Sequence, residues 1–251
     1  MPFATGAKAT PTYFRARSGA LCLPGKYMRH LIFSVLISIS LAGCSSYENS
    51  DQPVISLVYN PRLDAICSLF RGGAIRKEWE TELTSRQDEF ENLWKMAGPK
   101  LIEATENITK MSFPSRKYTA RLTLCDLPSQ SILGISVNMR YSLGSFTQTP
   151  VPMRYKVDTL FHELLHKFLA ENPVNESIFL KQYASEPGRT RDHIHLLALQ
   201  KAILLTLNEP EALKSIIDTD SQLPGGYYKR AWEIVNATDT EYLKYVAEIS
   251  Q

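Results

Sequence analysis

The chain has no apolar run long enough to stay in a membrane as a spanning helix. Its prominent run, Leu31 to Leu41, stops well short of the roughly 20 residues that a bilayer requires. A basic surplus is also missing once the N-terminus is set aside. Residues 1–43 hold five basic side chains (Lys8, Arg15, Arg17, Lys26 and Arg29) and no acid, which leaves 23 basic against 26 acidic groups elsewhere. A mildly acidic body offers no electrostatic footprint for nucleic acid, and that class of partner is excluded. No CxxC pair and no finger-type Cys/His spacing occurs, so a structural zinc finger is not indicated. Internal repeats and low-complexity tracts are absent as well. What is present, 44% apolar and 22% charged residues over 251 positions, is ordinary for one globular domain or a tight pair.

The N-terminal basic residues belong to a targeting segment. Lys26 and Arg29 precede the apolar run, and Leu41-Ala42-Gly43-Cys44 closes it. A short positive region, an apolar stretch of roughly 7 to 15 residues and small residues at a cleavage point make a secretory signal. The last four residues resemble the lipobox of bacterial lipoproteins. That resemblance implies a diacylglyceryl group on the Cys44 sulfur and cleavage before it. Residues 1–43 are then signal and upstream sequence, with Met28 a natural start, and residues 44–55 are the lipidated cysteine and a polar linker. The expected location is a membrane surface facing the periplasm or the cell exterior, with Ser45 leaning toward the outer membrane. With Cys22 and Cys44 set aside, Cys67 and Cys125 form an even pair in an exported chain and are expected to form a disulfide.

Residues 56–251 read as the folded domain. Trp79, Leu83, Phe90, Leu93 and Trp94 recur at mostly three- and four-residue steps, which predicts a helix over 74–96 ended by Gly98-Pro99. A second helix is expected over 100–110. Alternation over 117–125 predicts a half-buried strand, and 133–143 reads as another after a turn at 126–130. Helices are expected over 156–169, 177–183, 192–207, 209–218, 227–235 and 240–249, with proline and glycine between most of them. The pattern argues for an α+β domain with a small antiparallel sheet and a mostly helical C-terminal half.

Residues 162–166 read His-Glu-Leu-Leu-His inside a helical segment. Side chains four apart share a helix face, so both imidazoles can meet one ion. Glu163, about 100° round the helix from His162, sits beside that ion and can reach its water. A catalytic zinc wants three protein ligands and an open water position. Of the five histidines, His30 lies in the signal, and the two not yet used are His193 and His195. With Asp192 as N-cap, His195 lines up with Ala198, Leu199, Ala202 and Ile203, a stripe that should pack inward. His193 lines up with Leu196 and Leu197 but then with Gln200 and Lys201, a stripe that turns toward solvent. His195 is therefore the favoured third ligand and His193 the close alternative. Tyr183, and Tyr227 or Tyr228, are possible oxyanion donors, although core packing is the better reading of each.

The segment 158–170 resembles the zincin superfamily of HExxH metallopeptidases. The resemblance implies Zn2+ held by His162 and His166, Glu163 as general base, and a peptide or protein as substrate. It also implies a strand beside the cleft to which substrate adds, for which 133–143 is the natural candidate. The metzincin extension is absent, because Leu169 and Asn172 occupy its glycine and last histidine positions. Gluzincins take a later glutamate, and Glu186, twenty residues after His166, is a weaker third ligand. A zincin-like fold and a membrane-anchored zinc peptidase are the expectation. The alternative from another class is a non-catalytic lipoprotein that binds zinc or a partner through such a fold.

Overall fold

The computed structural model describes residues 52–250 apart from Gly72, Ser115 and Leu133. The expected signal and the expected lipidation site Cys44 lie outside the described residues. The chain folds as α+β, with seven α-helices and one three-stranded sheet among the described residues.

Strand β1 (Val54–Tyr59) opens the domain, so its first two residues fall inside the stretch expected to be linker. Ile55, Leu57 and Tyr59 pack on the core, while Val54 and Val58 face outward. Apolar residues on both faces hide the alternation that would have identified the strand. Helix α1 (Pro61–Arg71) follows, and its Asp64 accepts hydrogen bonds from the Thr123 hydroxyl and from the Leu124 backbone N–H at 2.6 Å. One turn further on, Cys67 and Cys125 stand at disulfide-bonding distance, with Cα atoms 6.1 Å apart.

Helix α2 (Lys77–Thr109) is a single 33-residue element, and the break expected at Gly98-Pro99 does not occur. Proline in a helix interior costs about 3 kcal/mol. Here Leu83, Phe90, Trp94, Leu101, Ile102 and Ala104 are buried on both sides of it, and that burial outweighs the cost. Gly98 has its own reason, because a Cβ there would lie 2.6 Å from the Trp94 indole.

The sheet corrects the expectation of antiparallel pairing. Strand β2 (Lys117–Thr123) runs parallel to β1 and to β3 (Ile135–Asn138), in the order β1-β2-β3. Helices α1 and α2 form the crossover between the first two strands, as parallel neighbours require. Between β2 and β3 the chain doubles back, and Gln130 makes an antiparallel bridge to Ser136 on the outer edge of β3. The strand expected over 133–143 shrinks to four residues followed by a 3₁₀ turn at Arg140–Ser142.

Helix α3 (Met153–Glu171) carries the HExxH segment and packs between α2, β3 and α4 (Gly188–Thr206). Helix α4 is the centre of the C-terminal half. It is flanked by α5 (Pro210–Asp220), α6 (Tyr227–Val235) and α7 (Glu241–Ile249), and every residue from His193 to Leu204 is buried. The short 177–183 segment is a 3₁₀ helix over Phe179–Tyr183. Among the described residues no helix is long and apolar enough to cross a membrane.

Candidate metal centre

His162, His166 and His193 come together where α3 faces α4. One ring nitrogen from each lies within 4.8 Å of the others, and the three ring centroids are 4.9 to 5.4 Å apart. The first two are positioned by helical periodicity alone. The third depends on α4 beginning at Gly188, four residues before the expected cap at Asp192, which puts His193 in the second turn.

His195, the favoured third ligand, is not in this group. It points to the opposite side of α4, where its Nε2–H donates to Glu248 Oε2 at 2.8 Å. Glu248 also accepts from Ser177 Oγ and from the backbone N–H groups of Ile178 and Phe179, so His195 ties α4 to α7 and the 3₁₀ segment. Helix α4 is enclosed all round, so an inward-facing apolar row exists on every side and does not single out the face of His195. Gln200, which read as turned to solvent, is 1% exposed and bonded to His162. Glu186, the weaker third ligand, is also outside the cluster, in an ion pair with Arg230 at 2.7 Å.

The cluster's electrostatics suit a cation. Burial, then the neighbouring His166 and His193, push His162 well below the usual imidazole range. Burial, then His193 and Lys167, push His166 down to about 4. Burial also lowers His193, with the Arg189 carbonyl and Asp192 offsetting part of the effect. All three rings are therefore neutral near pH 7 and keep a lone pair, as metal ligands must. Two are oriented through their other nitrogen. His193 Nδ1–H donates to the Arg189 carbonyl at 2.6 Å, and His162 Nδ1–H donates to Gln200 Oε1 at 3.3 Å. Partners of this kind leave Nε2 to face an ion.

Glu163 adjoins the cluster and is 3% exposed. Burial raises its carboxyl to about 8, opposed by a hydrogen bond with Ser131 and by the Lys167 charge. A cation on the three imidazoles favours the ionised form, since opposite charge nearby lowers a carboxyl pKa. Tyr228 stands on the remaining side, its hydroxyl 3.3 Å from His162 Nε2 and its ring 4.6 Å from that of His193. Gly225 and Gly226, with φ of 90° and 67°, turn the chain sharply enough to bring Tyr227 and Tyr228 into the first turn of α6. Tyr183 is remote, with its hydroxyl near that of Tyr245.

His162, Glu163 and Tyr228 line a cavity of about 1310 Å³ between α3, the start of α4, the 126–129 loop and the 223–230 turn. The outer edge of β3 does not offer a place for an added strand. Its Ser136 N–H and carbonyl are paired with Gln130, and its Asn138 N–H with Ser129 Oγ. Sequence reasoning missed Gln200 and undervalued Tyr228, because a glutamine on a buried helix and one tyrosine among twelve carry no local signal. Compared with protein-family models, with curated proteins and with solved structures, the chain matches none.

Proposed function

We propose that this protein is a zinc-dependent peptidase whose centre is His162, His166 and His193, with Glu163 as general base. The observation that carries the reading is the joining of three neutral imidazoles, two of them oriented by hydrogen bonds, with one buried carboxyl at the wall of a large cavity. The donor set fits zinc, which takes three protein nitrogens and keeps one position open. It fits magnesium or calcium poorly, since those ions take oxygen ligands. A bound zinc lowers the pKa of water and polarises a carbonyl.

The residues of this chain do the rest. Glu163 Oε takes the proton of the attacking water and hands it to the departing amine nitrogen. Tyr228 O–H donates to the oxygen on which negative charge develops at the scissile carbonyl. Gln200 and the Arg189 carbonyl hold two of the imidazoles in one tautomer. The zincin resemblance now rests on the HExxH helix and this chemistry, and not on the sheet. The Cys67–Cys125 pair accords with an exported, oxidising setting, and the lipobox-like Cys44 would anchor the enzyme to a membrane.

The test is metal content and turnover together. Full-length protein purified without chelator and offered zinc should hold about one ion per chain and cleave a mixed peptide pool. Glu163→Gln should keep the metal and lose the cleavage. No stoichiometric zinc in the wild type sinks the proposal, and zinc without turnover leaves a metal-binding protein.

A further inference from the structure

The cavity wall carries a cation that the chemistry above does not use. Lys156 is only 5% exposed, whereas Arg71, Arg189 and Arg230 on the same wall are exposed. Arg230 is already paired with Glu186. The nearby carboxylates are taken too. Asp158 is bound to Arg154, and Asp220 accepts from the Tyr155 hydroxyl and the Trp232 indole N–H. Among the described residues no carboxylate and no hydrogen-bond acceptor reaches the Lys156 amine, whose one ring neighbour is Tyr155, 5.6 Å from the centroid. Burial alone lowers that amine to about 8. The amine nitrogen keeps contact with the solvent of the cavity, where it can meet a ligand, and packing does not call for an ammonium where methionine would fill the same space.

Position along α3 indicates what it faces. Lys156 and Glu163 are seven residues apart, two helical turns, and so lie on one flank of the helix. The rise between them is about 10.5 Å. An extended peptide covers that distance in about three residues. We propose that Lys156 receives a carboxylate of the peptide substrate about three residues from the scissile bond. The proposal rests on the peptidase reading for its register, but the carboxylate subsite itself can be tested without turnover. The carboxylate is either the peptide's own C-terminus or an acidic side chain, and both present the same group to the amine.

Binding to full-length Glu163→Gln protein, supplied with zinc, separates these points. The probes are fluorescent hexapeptides of neutral residues in three forms: free C-terminus, amidated C-terminus, and amidated with one glutamate moved through the sequence. At pH 7 one of the carboxylate forms should bind about 10- to 100-fold tighter than the neutral amide. Whichever form gains names the source. Adding Lys156→Met should erase the gain while the melting temperature stays level or rises, and Lys156→Arg should restore part of it. Equal binding of all three forms, no binding of any, or a preference that survives Lys156→Met overturns the subsite. If the wild type cleaves peptides with no carboxylate preference, the subsite fails and the peptidase stands. If the preference holds and cleavage is absent, the subsite stands and the peptidase fails.

Discussion

Alanine at His195 and at His193 should separate a structural histidine from a metal ligand. At His195 the loss is one hydrogen bond to an ionised acceptor, worth about 1.5–3 kcal/mol, plus the space left by a buried ring. Glu248 keeps its bonds from Ser177 Oγ at 2.6 Å and from the Ile178 and Phe179 N–H groups at 2.8 and 3.2 Å, so it is not stranded. A total near 3 kcal/mol, at about 2–4 °C per kcal/mol for a domain of this size, lowers Tm by about 6–12 °C. Zinc affinity should be unchanged, because the His195 ring points away from the cluster. At His193 the balance reverses. Removing an outer partner of a metal ligand typically costs 10–100-fold in affinity, so deleting one of three ligands should cost more than about 100-fold. Its metal-free Tm should fall by less than that of His195→Ala, since both lose a buried ring but the bond lost at His193 is to a neutral carbonyl and not to an ionised carboxylate. The assay is a zinc competition titration against a chelating dye, with Tm measured in chelator. Loss of zinc by His195→Ala with retention by His193→Ala would refute the assignment, as would equal losses in both.

Tyr228→Phe should lower kcat by about 100-fold or more with KM and zinc content nearly unchanged, the pattern of a lost oxyanion donor; an unaltered kcat would reduce Tyr228 to packing. Asp220 gives a pH test. Burial raises it from 3.8 to about 6, against hydrogen bonds from Trp232 and Tyr155. Below the unfolded value both states hold the proton; between pH 4 and 6 only the folded state does, so stability falls as pH rises and levels off above 6. The difference in unfolding free energy between wild type and Asp220→Asn should therefore shift by about 3 kcal/mol across that window, and a flat difference contradicts the burial argument. Reducing the Cys67–Cys125 link, whose partners are 58 residues apart, should lower the denaturant-derived stability by about 4 kcal/mol in the chain-entropy account, with a loss under 1 kcal/mol counting against a formed bond.

Much of the site is local and could be read from the chain. The four-residue step from His162 to His166 brings both rings to one face of any helix, and Glu163 follows with them whatever α3 packs against. The boundaries of α6 and α7 were equally legible, because each helix lies on the surface with one apolar side. Elements buried on more than one side were not. Helix α2 runs through Gly98-Pro99 because packing on both sides outweighs the local break, and β1 escaped notice because two of its three outward residues, Val54 and Val58, are apolar too.

Spacing and periodicity within short stretches were enough to place His162, Glu163 and His166 together on α3 and to give the α+β class, and the cysteine count was enough to match Cys67 with Cys125. The direction of the sheet, the presence of His193 and not His195 beside His162 and His166, and the meeting of Gln200, Tyr228 and Lys156 around one cavity came from long-range packing. Periodicity states which face of an element is apolar. It does not state which neighbour each face will meet, and on a helix enclosed like α4 that meeting assigns one histidine to the imidazole cluster and the other to Glu248.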